Sequence, residues 1–79
     1  MDAVTNNLTT LDKTLLEVMQ GTEYWLSRSM IANLIGRGTL TVYQIERLEH
    51  LVKLGLVDKE TRRRGVAQIY YEYKPRGDA

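Results

Sequence analysis

The sequence predicts a small α+β domain: three helices, then a C-terminal two-stranded hairpin, with a possible short strand between the first two helices. Three observations predict it. Leu8, Leu11, Leu15, Val18 and Met19 recur at steps of three and four, as do apolar residues in two later segments, the spacing of buried helical faces. Segments 56–60 and 68–73 alternate with the period of two that a strand requires. Between them stands Thr61-Arg62-Arg63-Arg64-Gly65, whose guanidinium groups have no place in a core unless paired.

The first helix is expected over Thr10–Gln20. Thr9, followed three residues later by Asp12, forms a capping-box start with Asp in place of the preferred Glu. Gly21 reads as a left-handed stop. Leu16 lies off the stripe, either widening the apolar face or touching the hairpin or a second subunit. Residues 23–26 are aromatic and short, a brief strand. Ser27 caps a second helix over 28–35, with Met30, Ile31, Leu34 and Ile35 facing the core and Ala32 admitting close helix approach. Gly36-Arg37-Gly38 makes the turn.

Thr41 caps the third helix, read as 41–54, with Glu46 too distant to complete a capping box. A wheel centred on Ile45 puts Leu48 and Val52 on its flanks and Leu51 beyond, leaving Tyr43, Glu46, Arg47, His50 and Lys53 outside. Gly55 closes it. In the hairpin, Ile69, Tyr71 and Tyr73 share a face with Val57, while Tyr70 and Glu72 occupy the other. The loop is expected at 62–67. Pro75 stops the second strand, so the chain divides into an arm at 1–7, a domain at 8–74 and a flexible tail at 75–79.

Composition narrows the function. Seventy-nine residues, 43% hydrophobic and 27% charged, suit one domain with one modest core. The absence of cysteine excludes disulfides, thiolate nucleophiles and Cys-based zinc sites. No secretory leader or membrane span is legible, so a cytoplasmic protein is expected. The net charge of +1 hides a polarity: residues 1–26 carry one lysine against four carboxylates, and residues 27–79 carry ten basic side chains against six acidic ones. That distribution can give one positive face. A lone His50, with no nucleophile or phosphate loop at a recognisable spacing, argues against an enzyme and against metal or cofactor chemistry.

Helix, strand, helix, turn, helix, hairpin is the order of a winged helix-turn-helix domain, and residues 8–74 resemble that superfamily. The segment at 25–36, Trp-Leu-Ser-Arg-Ser-Met-Ile-Ala-Asn-Leu-Ile-Gly, looks like its strand, cap and second helix. The segment at 47–57, ending Leu51-Val52-Lys53-Leu54-Gly55-Leu56-Val57, is similar to the end of a recognition helix entering its wing in regulators of the MarR, PadR and ArsR kind. Arg62–Arg64 then stand where such proteins carry the wing tip. The turn at 36–39 is richer in glycine than usual, which leaves the angle between helices open.

The resemblance implies a DNA-binding transcriptional regulator whose third helix enters the major groove and whose wing meets the backbone or minor groove. Arg47 would read guanine and Gln44 adenine; Thr41, Tyr43 and His50 would meet phosphates or thymine methyls. Glu46 would accept from cytosine or pair with Arg47 or His50. Arg62, Arg63 and Arg64 would release counterions from the backbone. Ser27, Arg28, Ser29 and Arg37 would add backbone contacts, and Trp25 with Tyr24, Tyr70, Tyr71 and Tyr73 would pack the core and sheet. The expected partner is double-stranded DNA bound by a homodimer, because one helix spans few base pairs, with no small-molecule ligand or membrane. The alternative is a winged-helix protein–protein module using Leu16, Leu54 and Tyr70; RNA suits the third helix less well, since the A-form major groove is deep and narrow.

Overall fold

The computed structural model describes residues 8–76; the arm at 1–7 and the tail beyond Arg76 lie outside the described residues. Three helices and a three-stranded antiparallel sheet make up the described chain, in the order α1 (Thr10–Gln20), β1 (Leu26–Ser27), α2 (Arg28–Leu34), α3 (Val42–Lys53), β2 (Val57–Arg64) and β3 (Gln68–Pro75).

The helix starts are built by local side chains. Thr9 Oγ1 accepts from the Asp12 amide at 3.1 Å, and Asp12 Oδ2 accepts from the Thr9 amide at 2.9 Å, the reciprocal cap that opens α1. Ser27 accepts from the Met30 amide at the start of α2. Thr41 caps α3, and the box is complete after all. Gln44, rather than the remote Glu46, reaches back to the Thr41 amide at 2.8 Å. Gly21 departs from expectation: its φ of −74° is right-handed, so α1 ends without a left-handed residue. Gly55 does turn left-handed, at φ +80°, and swings the chain from α3 into β2.

Leu15 and Met19 of α1, Leu26 of β1, Ile31 and Ala32 of α2, Leu48 and Leu51 of α3, Val57 of β2 and Tyr73 of β3 form the buried core. Leu8, Leu11, Leu16 and Val18 pack around it, so Leu16 widens the apolar face of α1. Met30 and Leu34 were expected inside, yet both are 44% exposed. A seven-residue helix presents only about two turns, and Ile31 with Ala32 already fills the contact.

The sheet runs β1-β3-β2. The expected strand at 23–26 is reduced to Leu26 and Ser27, which face Tyr73 and Glu72. In the hairpin Lys59 faces Tyr73, Thr61 faces Tyr71, Arg63 faces Ile69 and Arg64 faces Gln68. The connecting turn is therefore only residues 65–67, and all three arginines lie on β2 rather than in the loop expected at 62–67. The ladder extends that far because Gln68, Ile69 and Tyr70 supply cross-strand partners. At the other end Pro75 remains in β3, and the Arg76 amide donates to the Leu56 carbonyl at 3.0 Å, so Arg76 is anchored instead of belonging to a loose tail.

Candidate functional site

Arg47 is the largest departure from the sequence reading. Its Nε donates to Asp12 Oδ1 at 2.8 Å and its Nη2 to the other carboxylate oxygen, a bidentate pair that ties α3 to α1. Asp12 is fully buried. The Arg47 hydrogen bond holds the Asp12 carboxyl below the usual carboxylate range despite burial, which pushes the other way. The partner raises the guanidinium in turn. Arg47 is thus inside the structure's joint and not an open guanine reader.

The same pair explains why the wheel centred on Ile45 is rotated. The buried residues of α3 are Leu48 and Leu51, while Ile45 and Val52 are only half-buried. At 100° per residue the buried arc is centred about 90° from Ile45, on the side that includes Gln44 and Arg47. What faces out is Val42 (74% exposed), Tyr43 (56%), Glu46 and Lys53. Ile45, Glu46, Glu49, His50, Val52 and Lys53 line an open depression of about 410 Å³ along this flank. Gln44 turns its carbonyl oxygen back to the Thr41 amide, which ties its side chain to the start of α3.

Glu49, which no sequence motif marks, is the hub between α3, α2 and the sheet. It accepts from Lys59 Nζ at 2.7 Å, from Arg28 Nη2 at 3.3 Å and from the Tyr73 hydroxyl. Arg28 also donates to the Tyr73 hydroxyl at 3.1 Å. The Tyr71 ring packs against both cations, with Lys59 Nζ 4.4 Å and the Arg28 guanidinium carbon 4.9 Å from its centroid. Burial alone would raise the Glu49 carboxyl, but the hydrogen bonds from Lys59, Tyr73 and Arg28 bring it below its ordinary value. Burial and the neighbouring Glu49 push the Tyr73 phenol well up. Burial works against the Arg28 charge, yet Tyr73 and Glu49 leave it raised. A signal for this hub was present: Lys59 sits two positions after Val57 and so shares its inward face. An inward lysine demands an acidic partner.

The three arginines of β2 are divided by the strand's pleat. Arg63 shares the inner, helix-side face with Lys59 and Thr61. It is exposed, and no described residue pairs with it. Arg62 and Arg64 occupy the outer face. Arg62 donates to Glu72 at 2.8 Å and lies 5.6 Å from the Trp25 ring centroid; Arg64 lies 5.0 Å from that of Tyr70. Arg37, in the turn before α3, and Lys53 are exposed and likewise without a described partner.

Among the remaining candidates, Ser29, Thr41 and Tyr43 are exposed, and Ser27 and His50 half-buried. No ion pair joins His50 to Glu46. Tyr71 and Tyr73 pack as expected, but Tyr24 is 73% exposed and forms an apolar cluster with Met30 and Leu34 around Leu26. Leu54, by contrast, is half-buried, as are Leu16 and Tyr70, so the patch expected from those three is not open.

Among the described residues, no group of three metal-ligating side chains is assembled, and no helix is long and apolar enough to cross a membrane. Comparison with protein-family models, curated proteins and solved structures returned no match.

Proposed function

We propose that the chain binds duplex DNA as a winged-helix regulator, with α3 directed at the major groove and the inner face of the β2–β3 hairpin along the adjacent backbone. The observation that carries this reading is Arg63: without a partner among the described residues, and on the same hairpin face whose Lys59 engages α3 through Glu49. Four residues of strand set it about 13 Å along the hairpin from Lys59. Arg37 and Lys53 add two more exposed cations around the third helix.

The readout differs from the one the sequence suggested. Val42 and Tyr43 offer apolar contact to thymine methyls, and Glu46 can accept from a cytosine amino group. Arg47 is withdrawn. Base preference is therefore modest, and affinity rests on phosphate contacts.

Titrating a random-sequence duplex at rising salt tests this. The chain should lose affinity steeply, and Arg63→Ala should flatten the log–log slope by about 1 for every sequence alike. Affinity indifferent to salt would sink the DNA reading. A second reading, a module for protein contact, is favoured by the exposed cluster of Tyr24, Met30 and Leu34. It predicts binding that survives salt and is lost on Leu34→Asp.

A further inference from the structure

The outer edge of β2 carries no partner strand among the described residues. Eight residues long, it exceeds the usual strand and presents a row of amide and carbonyl groups able to template another strand. Its outer-face charges run in order Asp58, Glu60, Arg62, Arg64, two negative and then two positive. Charges that merely guard an edge repel a copy of themselves. This series is complementary to its own reverse.

We propose that two copies of the chain pair antiparallel through β2, about a two-fold axis at Thr61, making one continuous six-stranded sheet. The pairing is isologous, so each contact occurs twice. Asp58 meets Arg64 of the second copy, and Glu60 meets Arg62 of the second copy, giving four opposite-charge pairs on the outer face. Moving the axis by one residue in either direction sets Glu60 against its own counterpart or Arg62 against its own. Only the Thr61 axis avoids a like-charge contact on that face, so the charges select the register as well as the partner.

The existing partners do not block this. Glu60 and Arg64 have no ion pair among the described residues, and the Arg76 contact of Asp58 and the Glu72 contact of Arg62 become parts of larger networks. On the inner face Lys59 comes opposite Arg63 of the second copy. Lys59 is already held by Glu49, which moderates that repulsion. The proposal goes beyond the DNA reading and does not rest on it.

Cross-linking the full chain without nucleic acid tests it. The chain has no cysteine, so Thr61→Cys introduces one thiol that meets its own copy across the axis. Paired Cα atoms stand roughly 4.5–5.5 Å apart, within disulfide reach. Under mild oxidation Thr61→Cys should dimerise roughly tenfold or more faster than Thr39→Cys, an exposed site off the strand. Equal rates at the two positions overturn the proposal. Asp58→Arg and Arg64→Asp, each added to Thr61→Cys and checked for folding by circular dichroism, should each drop to the control rate. Their equimolar mixture should regain the fast rate, since opposite charges then face each other again. Unchanged rates in the single variants, or no recovery on mixing two folded variants, also overturn it.

Discussion

Arg47 shows how one ion pair can reassign a side chain from recognition to architecture. Its partner Asp12 is fully buried, and removing one member of a buried pair leaves an uncompensated charge. Arg47→Ala should therefore lower stability at neutral pH, read as a fall in the denaturant midpoint. Replacing both partners, Asp12→Leu with Arg47→Met, should recover much of the loss. The pH dependence follows from the lowered Asp12 carboxyl. The stability it contributes is present above its unfolded value of about 4 and fades as pH falls below that, through the depressed native value. An Arg47→Ala protein that keeps its stability but changes its base preference would return Arg47 to the DNA face.

Helix and turn boundaries are where local chemistry acts most directly. Thr41 and Gln44 hold the start of α3 with two reciprocal bonds, so Thr41→Ala should cost about 1 kcal/mol. At the other end Gly55 has φ +80°, and an added Cβ would stand 3.3 Å from an Arg76 guanidinium nitrogen. Gly55→Ala should cost about 1–3 kcal/mol through the left-handed backbone. A urea midpoint unmoved by either change would contradict these assignments. Both positions were legible in the sequence as cap and stop, because such signals span only a turn of chain. The Gln44 partner is legible on the same ground, since it stands three residues after Thr41 whereas Glu46 stands five.

Among the described residues, Asp12–Arg47 and Glu49 with Arg28 and Lys59 pair in joints between elements, Asp58–Arg76 and Glu72–Arg62 pair on the sheet surface, and Arg37, Lys53 and Arg63 stand single and exposed. Glu49 neutralises Arg28 and Lys59 where α2, α3 and the sheet converge. Glu49→Gln would leave two cations sharing a weaker acceptor. If the hairpin side of α3 meets DNA as proposed, this variant should steepen the salt slope by about 1 while lowering stability. A slope equal to the parent's would separate this joint from the binding face. Net charge could not have revealed the arrangement, since pairing and pleat direction determine which of the arginines remain available.

The helix spans, their Ser and Thr caps and the alternation of the hairpin were readable because each depends on residues two to four positions apart. The rotation of α3 and the burial of Asp12 were not, and of the Glu49 hub only the inward Lys59 was. They arise from contacts between residues 35 and 24 positions apart, Arg47 with Asp12 and Tyr73 with Glu49. A wheel drawn on apolar residues assigns a charged side chain to solvent. Only the packed chain brings the opposite charge that draws it inward.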